Sequence, residues 1–135
     1  IWKSPPTLTV SEWADENRRL SPESSAEPGR WRTSRAEYQR EIMDTVADAR
    51  IETIVIMSSA QIGKTEVIGN IVGYFIDQDP APIMVIQPTV DMAKTWSHDR
   101  LATMVRDTPC LKSLIADNKS RAWRRVPFVW CVVTR

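Results

Sequence analysis

The chain has 135 residues, of which 42% are hydrophobic and 26% are charged, and its formal net charge at pH 7 is +1. These values are ordinary for a soluble globular protein with one modest domain. So small a net charge excludes a molecule that binds nucleic acid through its charge as a whole, so any basic surface must be local. Two cysteines and one histidine lack the spacing of a structural zinc site. No apolar run is long enough to span a membrane.

The N-terminal part of the chain predicts two helices with a loop between them. Thr9 and Glu12 have the spacing of a capping box, which predicts a helix over about residues 10–20. Prolines and polar residues predict a loop over residues 21–33.

A second helix is predicted just before the middle of the chain. Ser34 and Glu37 repeat the capping-box spacing. The helix expected after them carries an apolar stripe at helical spacing, formed by Tyr38, Ile42, Met43 and Val46.

A strand, a loop of small residues and a helix then follow in the order that a phosphate-binding P-loop requires. The apolar run 52–57 predicts the strand, and the helix is expected over about residues 64–76. Backbone N–H groups of the loop would form an anion nest, Lys64 would contact the β- and γ-phosphates as the catalytic residue, and the Thr65 hydroxyl would bind Mg²⁺. The predicted nucleotide-binding residues of the loop are Ser58, Ser59, Ala60, Gln61, Ile62, Gly63, Lys64 and Thr65.

One residue departs from the usual P-loop pattern. Ser58 stands where the first glycine is expected. A serine costs little there unless the residue needs a positive φ. The alternative is an ordinary strand, turn and helix in which Gly63, Lys64 and Thr65 follow one another by chance.

The second half of the chain predicts one more βα step and a tail of different character. A buried strand over residues 83–87 would form a right-handed βαβ unit with the strand 52–57. Thr89 predicts the cap of a helix over about residues 90–106. The tail opens with basic residues that would either bind nucleic acid or form a solvated charged turn, and then becomes an apolar run that predicts a strand. These basic residues are Lys119, Arg121, Arg124 and Arg125.

Five stretches together resemble the large terminase subunit of tailed bacteriophages, of the lambda-like GpA type. They are residues 11–14, 20–31, 38–40, 57–65 and 87–89, within a resemblance that covers about residues 11–114. The resemblance implies an α/β protein with a partial P-loop NTPase domain of the helicase and terminase type, whose three-layer fold has a mostly parallel sheet and an N-terminal helical arm. The implied division is an arm and loop (1–33), a partial ATPase domain (34–118) and an atypical basic and apolar tail (119–135).

The resemblance also assigns site residues. Lys64 and Thr65 match the positions that bind phosphate and Mg²⁺ in this family. Gln39 matches a glutamine that reads adenine through its amide, and Tyr38 would stack on the base. Tyr38 fits the core stripe of its helix equally well. Gln87-Pro88-Thr89 resembles a segment that faces DNA or the nucleotide, and it also fits a strand end followed by a capping threonine.

The family implies ATP and Mg²⁺ as cofactors and an N-terminal ATPase fragment of a DNA-packaging motor. The implied partners of the full-length protein are double-stranded DNA, the small terminase subunit and the portal of the procapsid, in a homo-oligomeric motor without a membrane, in the host bacterial cytoplasm. No apolar strand of this sequence ends in the Asp-Glu pair that hydrolysis needs, and no nuclease carboxylate cluster is visible. We therefore expect weak ATP binding without turnover, and the tail resembles a truncated or frame-shifted end. The alternatives are a non-catalytic nucleotide- or DNA-binding prophage remnant and another helicase-like P-loop ATPase.

Overall fold

The computed structural model describes residues 8–23 and 25–114, together with the backbone of residues 129–133. Short helices dominate this part of the chain, and two small sheets accompany them. A 3₁₀ turn (Thr33–Ala36) and a π-helical turn (Trp96–Leu101) interrupt the regular elements. These elements are α1 (Val10–Asn17), β1 (Arg19–Leu20), β2 (Gly29–Arg30), α2 (Tyr38–Val46), α3 (Lys64–Asp77), β3 (Ile83–Gln87), α4 (Val90–Thr95), α5 (Ala102–Asp107), α6 (Pro109–Leu114) and β4 (Val129–Val133).

The capping box predicted at the start of α1 is confirmed. The Thr9 side chain accepts a hydrogen bond from the Glu12 N–H at 3.3 Å, and the Glu12 carboxylate accepts one from the Thr9 N–H at 2.9 Å. The helix ends at Asn17, three residues earlier than predicted, because Arg19–Leu20 pairs antiparallel with Gly29–Arg30. The loop that the prolines predicted therefore begins and ends in a short hairpin.

The second predicted capping box, from Ser34 to Glu37, is wrong. Ser34 lies inside the 3₁₀ turn, and the residue that precedes α2 makes no side-chain cap. The Asp15 carboxylate accepts the Thr33 N–H at 2.6 Å, so a distant residue fixes the start of this turn. The predicted helix is present as α2, and it begins at Tyr38 without a side-chain cap.

Helix α3 lies at the centre of the hydrophobic core and contacts α1, α2 and α6. Trp13 of α1 packs against Gly73 of α3, where the missing side chain leaves room for the indole ring. The Trp13 Nε1–H donates to the Asp77 carboxylate at 2.8 Å, so the buried ring also has its polar group satisfied. The buried hydrophobic residues of the core are Val10, Trp13, Ala14, Trp31, Met43, Val67, Val72, Tyr74, Ile76, Trp96, Met104 and Leu111.

The strand predicted over residues 52–57 is not formed. The segment is irregular, and its apolar side chains are exposed, with Val55 at 76% and Met57 at 92%. A strand exists through hydrogen bonds to a neighbour, and no other described residue pairs with this segment. The predicted βαβ unit between residues 52–57 and 83–87 is therefore wrong.

Strand β3 is confirmed, and its partner is the predicted tail strand. The two run parallel, with Ile83 opposite Val129 and Gln87 opposite Val133. Met84 and Ile86 are exposed at 60% and 55%, so the strand is covered on one face only and not on both as predicted.

The long helix predicted after β3 begins as expected but is not continuous. The Thr89 side chain caps α4 by accepting the Met92 N–H at 3.2 Å. The π-helical turn then separates α4 from α5, with the Ala102 N–H bonded to the Ser97 carbonyl five residues earlier. Helix α5 ends at Asp107, and Pro109 begins α6.

The described residues form a mixed helix and strand structure that fits an α/β ATPase domain. They contain one parallel strand pair, while the basic residues of the tail lie outside the described part. Among the described helices, none combines the length and apolar character needed to cross a bilayer.

Substitution of Gly73 tests the packing of α1 on α3. A Cβ at this residue would lie 2.9 Å from Trp13 Cζ3 and closer still to Cη2. We expect Gly73→Ala to lower the free energy of unfolding by about 1–3 kcal/mol, because overpacking outweighs the gain in helix propensity. The matched control is Gly69→Ala, whose Cβ would lie 3.5 Å from Met104 Sδ, an ordinary contact. Denaturant unfolding should show loss only for Gly73→Ala, and equal effects of the two changes would contradict this packing.

Candidate P-loop site

The predicted P-loop forms a turn that leads directly into α3. Gln61 and Gly63 have positive φ values of 62° and 84°. Gly63 is the residue that precedes the helix, and its carbonyl accepts the N–H groups of Glu66 and Val67 at 3.0 and 3.1 Å. Ser58 does not have a positive φ, since Gln61 is the sole non-glycine residue with one in the described part of the chain. The serine at this position therefore carries no backbone strain.

The Lys64 side chain folds back over the loop. Its ammonium group donates to the Ser59 carbonyl at 2.7 Å and to the Ser58 hydroxyl at 3.1 Å. The positive charge therefore lies above the loop rather than out in solvent. Ser59, Ala60 and Gln61 are exposed at the outer side of the turn.

Tyr38 and Gln39 donate hydrogen bonds to the same carbonyl oxygen of the loop. The Tyr38 hydroxyl and the Gln39 amide nitrogen donate to the Ile62 carbonyl, at 2.9 and 2.8 Å. Tyr38 is 56% exposed, so its alternative place in the core stripe of α2 is wrong. Gln39 is 4% exposed, and its Oε1 has no hydrogen-bond partner in the structure. With one N–H of its nitrogen bonded to Ile62, the Gln39 amide retains Oε1 and its second N–H for another partner.

A cleft with mostly apolar walls brings these residues together; we call it the apolar cleft. It contains both the residue that was expected to contact phosphate and the two expected to contact the base. Its lining residues are Tyr38, Gln39, Ile42, Ile56, Ile62, Lys64 and Val67.

Thr65 lines a second cleft, which we call the arginine cleft. Its lining residues are Arg18, Thr65, Glu66, Gly69, Trp96, Arg100, Leu101 and Met104. No group of three or more His, Cys, Asp or Glu side chains in the described ranges could hold a metal ion. A single hydroxyl at the head of a helix still fits Mg²⁺, because this ion keeps several waters and takes its other ligands from bound phosphates.

The arginine cleft contains functional candidates that no motif in the sequence pointed to. Glu66 accepts hydrogen bonds from Arg18 at 2.7 Å and from Arg100 at 3.3 Å. Arg18 also donates to Asn70 Oδ1 at 3.1 Å and to the Arg19 carbonyl at 2.6 Å. Burial lowers the pKa of the Arg18 guanidinium from its ordinary value, and the negative charge of Glu66 opposes that shift. Arg18 and Arg100 lie 48 and 34 positions from Glu66 in the sequence, so local sequence patterns do not reveal the cluster.

The predicted segment 87–89 and the acidic residue Asp77 lie outside both clefts. Gln87-Pro88-Thr89 lies where β3 passes into α4, and the Thr89 side chain is engaged as a helix cap. Asp77 lies at the far end of α3, about 20 Å along the helix from Lys64, where it accepts the Trp13 indole N–H. Asp77 therefore cannot replace a metal-binding aspartate at the P-loop.

Comparisons with known proteins identify the family of this chain. The model for the ATPase domain of the phage terminase large subunit gpA matches residues 25–126. The chain is 31% identical over 110 residues to the terminase large subunit of Enterobacteria phage P21, and 30% identical over 110 residues to that of Escherichia phage lambda. No solved structure shows significant similarity to it.

The sequence match defines the class of protein, one with the ATPase domain of a phage terminase large subunit. The chain belongs to the phage terminase large subunit gpA family, through the ATPase domain of that subunit. Each of the two alignments covers 82% of this chain but 17% of the relative, so the chain spans about a sixth of those proteins.

Substitution of Gly63 tests the contact between the loop and α2. A Cβ on Gly63 would lie 2.7 Å from Gln39 Nε2, and the residue also has a positive φ. We expect Gly63→Ala to cost about 1–2 kcal/mol from the left-handed backbone and a further 1–3 kcal/mol, approximately, from overpacking. In a Gln39→Ala background the overpacking part should disappear, as measured by denaturant unfolding of the four proteins in the cycle. Strict additivity of the two changes would rule out the contact.

Proposed function

We propose that this chain binds ATP with Mg²⁺ at the loop 58–65, as the N-terminal nucleotide-binding part of a phage DNA-packaging motor. The observation that carries the proposal is that Lys64, Tyr38 and Gln39, which come from separate parts of the sequence, line one apolar cleft beside the head of α3. Membership of the terminase ATPase-domain family agrees with nucleotide use.

The phosphate end of the nucleotide would be bound by the head of α3 and its loop. Lys64 would exchange its contacts with Ser58 and Ser59 for phosphate oxygens. The positive end of the helix dipole and the N–H groups of the loop add further attraction for an anion. Thr65 would bind Mg²⁺, and the ion, when bound with ATP, neutralises phosphate charge.

The base would lie over the mouth of the apolar cleft between α2 and the loop, because the cleft itself has a volume of only about 10 Å³. Ile42, Ile56 and Val67 offer apolar contacts for a planar ring, and the exposed Tyr38 ring can stack on it. Gln39 would accept the adenine N6 amino group through Oε1, which lacks a partner. Pairing through both amide atoms, as expected from the sequence, would use the second N–H of the Gln39 amide, because only one of the two is bonded to Ile62. The same amide would therefore contact both the base and the loop.

The role of the full-length protein follows from the family. It would convert ATP hydrolysis into translocation of double-stranded DNA into a procapsid, in a homo-oligomeric motor that works with the small subunit and the portal in the host cytoplasm. The domain would have the three-layer P-loop fold with a mostly parallel sheet. The division into 1–33, 34–118 and 119–135 belongs to the same proposal.

A second candidate is nucleotide binding without turnover. It is favoured by the end of β3, since this strand ends at Gln87 and leads into Pro88 and Thr89 and not into an Asp-Glu pair. Hydrolysis by P-loop ATPases uses such carboxylates to bind Mg²⁺ and orient water. A phosphate-release assay on this chain separates the two candidates, because only the catalytic one produces phosphate in a Lys64-dependent way.

Substitution of Lys64 tests the phosphate site. We expect Lys64→Ala to weaken binding of ATP with Mg²⁺ by about 1.5–3 kcal/mol, the usual worth of hydrogen bonds to charged groups. The matched control is Lys94→Ala, which removes an exposed lysine from α4. Calorimetric titration gives the affinities, and circular dichroism checks the fold. Equal affinities of a folded Lys64→Ala protein and the parent chain would exclude the site.

Substitution of Gln39 tests the base contact. We expect Gln39→Ala to weaken ATP binding by about 1–3 kcal/mol while changing inosine triphosphate binding less, since that base lacks the N6 amino donor. Competition titrations of both nucleotides against one fluorescent analogue measure the difference. If both nucleotides weaken equally, Gln39 supports the loop without reading the base.

A further inference from the structure

One carbonyl group of the P-loop, that of Ile62, receives two hydrogen bonds from the start of α2. The Tyr38 hydroxyl donates to it at 2.9 Å, and the Gln39 amide nitrogen donates to it at 2.8 Å. Both donors belong to the first turn of α2, 24 and 23 residues before Ile62 in the sequence. A carbonyl oxygen has two lone pairs, so the two bonds together fix the direction in which this carbonyl points.

The direction of the Ile62 carbonyl determines the direction of the next N–H group. The peptide bond between Ile62 and Gly63 is trans. In a planar trans peptide, the C=O and the N–H of the following residue point in opposite directions. Because the Ile62 carbonyl points toward Tyr38 and Gln39, the Gly63 N–H points away from α2.

The Gly63 N–H is the first of three consecutive donors at the head of α3. Gly63 has a left-handed backbone, with φ 84° and ψ 19°, and Lys64 begins the helix. A left-handed residue next to a right-handed one turns successive N–H groups toward one concavity, which attracts anions. Within the described ranges, no group accepts a hydrogen bond from the backbone N–H of Gly63, Lys64 or Thr65. All three donors are therefore available to an anion.

The glycine at residue 63 makes support from α2 necessary for this arrangement. Glycine adopts positive and negative φ values about equally well, so the peptide unit between Ile62 and Gly63 can turn over at little cost. The reversed unit would direct the Ile62 carbonyl oxygen, and not the Gly63 N–H, toward a bound anion. The bonds from Tyr38 and Gln39 stabilise one of the two orientations, and Gln39 does so from a buried position, since it is 4% exposed.

We propose that Tyr38 and Gln39 are positioning residues for phosphate binding, because their hydrogen bonds to the Ile62 carbonyl hold the Gly63 N–H in the direction that an anion requires. This inference rests on the proposed function, since it requires phosphate groups to bind at the loop 58–65. It gives the two residues a role toward the phosphates that does not depend on the base. Loss of either bond should therefore weaken even a ligand that has no base.

The test compares ATP with inorganic tripolyphosphate, which has the same number of phosphate groups but no base, at one Mg²⁺ concentration. Tyr38→Phe keeps the ring that would stack on adenine and removes only the hydroxyl. We expect it to weaken both ligands by the same factor, about two- to tenfold, the usual worth of one hydrogen bond. Calorimetric titration gives both affinities. The matched control is Tyr74→Phe, which removes a hydroxyl from a buried residue of α3 and should change neither affinity.

Gln39→Leu is the second variant, which removes the amide donor and keeps a side chain of similar size at this buried residue. It should weaken tripolyphosphate by a similar factor, and it should weaken ATP further because the base contact is lost as well. A change in stability alone would leave the tripolyphosphate affinity of the folded protein unaltered, and circular dichroism checks that each variant is folded. If Tyr38→Phe does not fold, the tripolyphosphate affinity of Gln39→Leu decides the question alone.

The outcomes separate this inference from the proposed function. Unchanged tripolyphosphate affinity in the folded variants, with normal Lys64-dependent ATP binding by the parent chain, overturns the positioning role and leaves the proposed function intact. This holds whether or not ATP binding weakens, because a loss for ATP alone assigns the side chains to the base. Failure of tripolyphosphate to bind the parent chain also overturns the positioning role, since correctly directed donors should bind phosphates without a base. Absence of Lys64-dependent binding of either ligand overturns both.

Discussion

The structure depends on the contact between α1 and α3, which is fixed at both ends of the longer helix. Near the C-terminal end, Trp13 packs against Gly73 and donates to Asp77. Near the N-terminal end, Arg18 binds Glu66 and Asn70. The first contact buries the Trp13 ring in the core, and the second places a charge next to the P-loop. The N-terminal arm therefore helps to form the core that supports the loop 58–65.

The correct predictions came from signals that act within a few residues. Thr9 and Thr89 cap the helices that follow them, because a hydroxyl and the N–H groups it satisfies lie within one turn. Helix α3 was predicted almost to its ends, since Gly63 supplies the left-handed residue before it. The family was also predicted correctly, because the stretch 57–65 occurs together with four other characteristic stretches in a specific order.

The wrong predictions involve partners that are distant in the chain. Residues 52–57 have the composition of a strand, but pairing decides whether a strand forms, and β3 pairs instead with β4. Ser34 has the spacing of a cap, but Asp15 fixes the start of that turn. At the candidate site, Lys64, Tyr38 and Gln39 were predicted from the sequence, and they line one cleft. The sequence did not reveal that Gln39 is bonded to Ile62, or that two arginines contact Glu66. These contacts join residues that are distant in the chain, and no recurrent sequence motif marks them.

The buried Asn70 has a consequence for the orientation of α3 about its own axis. This helix carries apolar residues around much of its circumference, so hydrophobic burial alone would accept more than one rotation. Asn70 accepts from Arg18 and lies 3.5 Å from Met43 Sδ, and it is fully buried. Rotation by one residue, about 100°, would separate it from the Arg18 guanidinium and leave a buried charge short of a partner. A polar pair in the core thus selects a single azimuth for α3, and that azimuth decides which way the residues of its first turn point.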